Sequence, residues 1–156
     1  MIGEYYVGGM SGIEAQLEKY GNAAAITEGD SMRPLFKTKR DMIVLKSPEA
    51  PPKKYDVVLY KAAGNYTMHR IIGIMNGGDV YVIRGDNTFV KEYVPSERVI
   101  AVLTAFTRKG KEGSVDAFLY KVYSRVWHYI YPVRFLLRIP GAAIRKSIRA
   151  VKRLGK

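Results

Sequence analysis

The chain has 156 residues, 47% of them hydrophobic and 26% charged, enough for one domain with a buried core. It has no cysteine, which excludes disulfides, thiolate zinc sites, iron–sulfur clusters and cysteine nucleophiles. It has only two histidines, His69 and His128, and no HExxH pattern, so neither a metal nor a cofactor is expected. Residues 1–106 carry 13 basic and 12 acidic side chains, whereas residues 107–156 carry 13 basic and 2 acidic. A near-neutral body with a basic tail points to an anionic surface met by one segment, not to a uniformly basic nucleic-acid binder.

In chain order, residues 1–25 read as an N-terminal arm with one short helix. That helix, Ser11 to Tyr20, has Ser11 as candidate N-cap, Ile13 and Leu17 on one face, and Gly21 as its stop. No basic segment followed by an apolar run opens the chain, and no apolar run approaches a membrane span, so a cytoplasmic chain is expected. Residues 26–107 read as a mainly β domain. Runs rich in Val, Ile and Tyr at 42–46, 55–61, 66–75, 79–84 and 98–107 are separated by turn residues, with a hairpin signal at Asn76-Gly77-Gly78. Residues 108–156 read as a basic, amphipathic helical segment, interrupted at Pro132 and Pro140.

Ser31 stands out by its setting. Gly29 permits an unusual backbone angle before it and Pro34 fixes the exit direction after it. A serine hydroxyl becomes a nucleophile only beside a general base. His69, within the strand run 66–75, is one of two candidate imidazoles. A carboxylate would then fix the imidazole tautomer, and Asp86, in a Gly-Asp-Asn turn after the next strand, is placed to return to the same edge.

Four segments in order resemble one superfamily. Gly29-Asp30-Ser31-Met32-Arg33-Pro34 resembles the nucleophile box of signal peptidase I and of LexA-type self-cleaving peptidases. Asp56-Val57-Val58-Leu59-Tyr60 is similar to their next strand, and Met68-His69-Arg70-Ile71-Ile72 to the His-containing segment of the archaeal and endoplasmic-reticulum members. Arg84-Gly85-Asp86-Asn87-Thr88 resembles their Lys-Gly-Asp-Asn-Asn box. The resemblance implies a signal peptidase/LexA-like β domain and a serine endopeptidase, with Ser31 as nucleophile, His69 as base and Asp86 as the orienting acid. It also offers a second acidic position beyond the Gly-Asp-Asn box, where Glu92 falls, so the carboxylate stays open between Asp86 and Glu92. Ser31 N–H would serve the oxyanion, with another backbone group or Thr27 as second donor. Arg40-Asp41 and Tyr55-Asp56 replace two Gly-Asp turns of the family. The absence of an N-terminal membrane span argues against an ordinary secretory signal peptidase.

The expected substrate is a peptide or protein held as an extended strand and cut to release a leader or pro-segment. The alternatives are a LexA-type regulator that cleaves itself and a non-catalytic peptide-binding domain. In 142–156, Ile144, Ile148, Val151 and Leu154 form one stripe among Arg145, Lys146, Arg149, Lys152 and Arg153. That pattern is expected to meet an anionic membrane surface, placing the protein peripherally on the cytoplasmic face. For 117–139, with Phe118, Val122, Val126, Tyr129 and Ile130 on one face, membrane contact and packing on the body both stay open. Nucleic acid is not expected, because no recognition motif is present.

Overall fold

The computed structural model describes residues 7–8, 12–62 and 64–137. Among the described residues, nine strands form one sheet: β1 (Val7–Gly8), β2 (Asn22–Ile26), β3 (Met42–Lys46), β4 (Val57–Ala62), β5 (Asn65–Met75), β6 (Val80–Arg84), β7 (Glu92–Pro95), β8 (Val99–Arg108) and β9 (Lys111–Ser114). Helix α1 (Ile13–Tyr20) precedes β2, and α2 (Phe118–Tyr129) and a short α3 (131–137) follow β9. The order across the sheet is β1-β2-β3-β8-β4-β5-β6-β7, with β9 on β8. All pairings are antiparallel except β1 with β2. The protein is therefore mainly β, and the sheet runs past both limits of the expected 26–107 domain.

Two cores flank the sheet because successive strand residues face opposite ways. On β4, Val57 and Leu59 join a core with Ile13 and Leu17 of α1, Met32, Leu35 and Phe36 of the segment after β2, and Tyr120 of α2. Val58 and Tyr60 join the other core with Ile71, Tyr81, Ile83 and Val94. Burying each such aliphatic side chain is worth about 1.5–3 kcal/mol before ordering costs.

The five β-rich runs match β3, β4, β5, β6 and β8 to within two residues at each end. Helix α1 starts at Ile13 with Gly12 as its N-cap and no side-chain cap, so the Ser11 cap expectation is corrected; Gly21, at φ 69°, ends it as expected. Residues 108–114 were expected within the helical segment, yet β8 continues to Arg108 and Lys111–Ser114 form β9. The reason is local: Phe106 of β8 lies against Gly113, where any side chain would collide with its ring. The expected helix at 142–156 lies outside the described residues. Among those described, no helix is long and apolar enough to cross a membrane.

Candidate active site

The chain leaves β2 through Thr27 and enters a tight turn. Gly29 takes φ 77°, a conformation that costs other residues strain but not glycine. From there Arg33 N–H bonds to Asp30 O and Phe36 N–H to Met32 O, at 3.2 and 3.1 Å. Met32, Leu35 and Phe36 sink into the core, while Ser31 stays half-buried at the surface. Arg33-Pro34 is a cis peptide. No backbone carbonyl among the described residues accepts the Ser31 N–H, which leaves that donor free.

Asp41 underpins this turn. Its carboxylate takes the Lys37 N–H at 2.8 Å, the Arg40 guanidinium at 2.7 and 2.8 Å, and the Lys109 N–H at 3.3 Å. Burial pushes this carboxyl up, but the Arg40 contacts and the two backbone donors outweigh it and hold it at about 2. Thr27 is not a spare oxyanion donor, as the sequence had allowed. It is buried, and its hydroxyl is committed to the Lys37 and Asp41 carbonyls, both at 3.0 Å.

His69 lies on β5, opposite Val58 of β4, and is only 6% exposed. Its Nδ1 is 3.0 Å from Glu92 Oε1 and 3.0 Å from the Tyr60 hydroxyl, and that hydroxyl donates to Glu92 Oε2 at 2.7 Å. Since the Tyr60 proton goes to Glu92, the network is satisfied when Nδ1 carries the imidazole proton. Nε2 is then the basic nitrogen. Burial lowers the His69 pKa below its ordinary value of 6.5, and the Glu92 carboxylate opposes that without cancelling it. Burial, and then Glu92, push the Tyr60 hydroxyl up, so it stays protonated.

Nε2 faces the Ser31 turn across Gly85. A side chain at Gly85 would meet Ser31 O at 2.7 Å and His69 Nε2 at 3.0 Å, so only glycine lets these two segments approach. The next residue closes the contact: Asn87 N–H bonds Ser31 O at 2.7 Å, and its side-chain amide reaches Asp30 O at 3.2 Å. Among the described residues no hydrogen bond yet joins the Ser31 hydroxyl to Nε2.

Asp86 does not hold His69, and this corrects its assignment as the orienting acid. It points to the opposite side, where its carboxylate grips Arg70 in a bidentate pair at 2.8 and 2.7 Å and accepts from the Tyr123 hydroxyl at 3.0 Å. Glu92 takes the position on Nδ1. The sequence placed Tyr60 only as the end of a strand box; the contact of its hydroxyl with His69 and Glu92 depends on pairing register.

Arg70 is 2% exposed, and its remaining donors go to Tyr55 O at 3.0 Å, Ser124 Oγ at 2.9 Å and Tyr120 Oη at 3.3 Å. Burial disfavours its charge, but Asp86 and Tyr120 more than restore it. Helix α2 is thus docked by Tyr120, Tyr123, Ser124 and Trp127, whose indole donates to Asp86 O at 2.9 Å. Arg134 of α3 donates to the same carbonyl at 2.7 Å.

Other side chains around the site have structural contacts. Lys61 pairs with Glu14 of α1 at 2.7 Å. The His128 ring packs edge-on against Tyr55 and Tyr129. Arg84 of the Arg-Gly-Asp tripeptide is buried, its guanidinium 3.5 Å from the Tyr131 ring centre. Tyr55 adopts φ 82°, a strained conformation that glycine would take freely.

A cleft of about 470 Å³ opens beside Ser31. Thr27, Glu28 and Gly29 form one wall, Asn65 to Met68 of β5 the other, and Met32, Phe36 and Ile43 contribute apolar surface. Residues 65–70 of β5 pair with β4 on one edge, whereas β6 joins the other edge only from Arg70 onward. The cleft wall is therefore a strand edge with unspent backbone donors and acceptors. Among the described residues no group of three His, Cys, Asp or Glu side chains stands ready to hold a metal ion. A scan against models of known protein families and a search of curated proteins return no match for this chain.

Proposed function

We propose that this protein is a serine endopeptidase of the signal peptidase/LexA-like type, with Ser31 as nucleophile, His69 as general base and Glu92 as the carboxylate that orients it. The observation that carries the reading is the buried imidazole whose Nδ1 is held by Glu92 and Tyr60 while Nε2 faces the nucleophile turn across Gly85. Nδ1 is spent on Glu92 and Tyr60, which leaves Nε2, beside Gly85 and the Ser31 carbonyl, as the nitrogen that can accept a proton.

The substrate lies along the open edge of β5 as an added strand, its main chain pairing with residues 65–69. The apolar surface of Met32, Phe36 and Ile43 receives a small apolar side chain next to the cut, which agrees with the family resemblance. Ser31 Oγ attacks the scissile carbonyl as Nε2 takes its proton. The oxygen that becomes negative is met by the Ser31 N–H. Glu92 stabilises the imidazolium, which then protonates the leaving amine. A water molecule, deprotonated by the same nitrogen, releases the acyl group and restores Ser31.

The decisive experiment incubates the purified full chain with a peptide mixture rich in small apolar residues and reads the products by mass spectrometry. Ser31→Ala and His69→Ala should each lower cleavage by about 10⁴-fold or more. Cleavage by Ser31→Ala at a comparable rate would overturn the assignment. Intact mass before and after incubation separates a self-cleaving regulator from an enzyme acting on other chains.

A further inference from the structure

The best-satisfied face of α2 is its polar one, and this leaves an unusual surface outside. Leu119, Val122, Val126, Tyr129, Val133, Leu136 and Leu137 recur at intervals of three, four or one along α2 and α3. All are exposed, from 79% at Leu119 through 50% at Val126 to 75% at Leu137. Isolated exposed leucines need no explanation, but a continuous ridge along two helices does. The inner face cannot turn outward to hide it. Tyr120, Tyr123, Ser124 and Trp127 are tied to the buried Arg70–Asp86 pair, so rotating the helix would strand that charge pair.

Charge identifies what covers the ridge. From Ala117 to the last residue there are ten Lys and Arg and no Asp or Glu. Within the ridge's own helix, Lys121 and Arg125 are exposed and near it in sequence; Lys121 also meets Asp116, just before the helix, at 3.1 Å. Apolar side chains followed by a run of sequence that carries cations and no acid suit the boundary of an anionic bilayer. The aliphatic groups enter the acyl region while the cations stay at headgroup level.

The geometry points to the outer face of α2 and α3 as a docking surface for an anionic lipid bilayer. This inference is independent of the peptidase reading. It does give the site a setting, because the inner face of the same helices holds Asp86, whose neighbours Gly85 and Asn87 touch the Ser31 turn.

The test uses the full chain and vesicles of phosphatidylcholine, with or without phosphatidylglycerol. The wild-type protein should sediment with the anionic vesicles and much less with the neutral ones, and high salt should weaken that binding. Leu119→Glu, Val126→Glu and Val133→Glu combined should weaken it at least about tenfold, a difference of about 1.4 kcal/mol. The only tryptophan, Trp127, reports whether α2 still docks: its emission and the thermal midpoint should not change. The milder Leu119→Ser, Val126→Ser, Val133→Ser protein serves if the glutamates disturb folding. Ser31→Ala should bind like wild type, so vesicle binding and catalysis fail separately. Undiminished binding by both ridge variants would overturn the proposal, leaving the basic tail alone responsible. So would no binding by wild type, or a wild-type dimer that the ridge variants split into monomers, which would make a second copy the occupant.

Discussion

His69 and Arg70 are neighbours on one strand, yet they head two different polar clusters on opposite faces of the sheet. Arg70 uses its guanidinium fully: a bidentate carboxylate, a carbonyl and two hydroxyls surround it. His69 is nearly as buried but is only half used, its Nδ1 fixed and its Nε2 turned to the Ser31 turn across Gly85. Both clusters contain an acid, tyrosine and a buried base, so composition cannot tell them apart. Saturation can. A saturated buried pair fixes architecture, whereas an imidazole anchored on one side keeps a lone pair for chemistry.

Exchanging the acids should break the two clusters in different ways. Glu92→Gln should cost cleavage about 10²–10⁴-fold while barely moving the thermal midpoint, because Glu92 is 37% exposed at its side chain. Asp86→Asn should do the reverse. It leaves Arg70 buried against a neutral partner, a loss of about 3–5 kcal/mol in stability. Equal loss of activity per molecule still folded in the two variants, measured at low temperature, would erase the distinction between an orienting acid and a structural one.

The pH profile sharpens the same contrast. Burial lowers the His69 pKa, so the base stays neutral to a pH below 6.5, and the acid limb of kcat/KM should fall below that value. Glu92→Gln removes the contact that opposes the lowering, so the limb should shift further to the acid side. Asp86→Asn should shift it less. Stability follows the same sign. The folded protein binds fewer protons than the unfolded chain between the folded His69 pKa and 6.5, so this contribution is complete above 6.5. It is lost as pH falls through the lowered value. An acid limb at or above 6.5 would place the titrating group elsewhere.

Gly85→Ala should be milder for the fold and harsh for the site. Its new methyl would press on Ser31 O and on the imidazole, so cleavage should drop about 10²-fold with Asp86 still bound to Arg70. The smallest effect belongs to Thr27→Val. Losing two hydrogen bonds to the loop below Ser31 should cost about 1–2 kcal/mol in stability and leave kcat nearly unchanged. A large fall in kcat without a change in stability would return Thr27 to the oxyanion.

What could be read before the structure depended on the kind of signal. β3 was legible to the residue because Met-Ile-Val-Leu-Lys has no reading better than a buried strand. β2 was not, since three alanines carry little strand preference; they form a strand because small side chains let α1 pack close, with Gln16 bonding Ala24 N–H. The choice between Asp86 and Glu92 turned on the β6–β7 register, which sets Ile83 opposite Glu92 and carries the acid back toward His69. Sequence spacing holds no record of that register. For α2, hydropathy left open whether the aliphatic face meets the body; the buried Arg70–Asp86 pair needed hydroxyl and indole partners, and satisfying it outweighed hiding the valines.

An unpaired strand edge is a standing invitation to aggregate, because a second molecule can extend the sheet across it. At residues 65–69 of β5 that edge lines the cleft beside Ser31, together with Thr27 to Gly29. Under the proposed function, a substrate strand and a stray sheet would compete for the same amides, so a bound peptide would also shield the protein from edge-to-edge association.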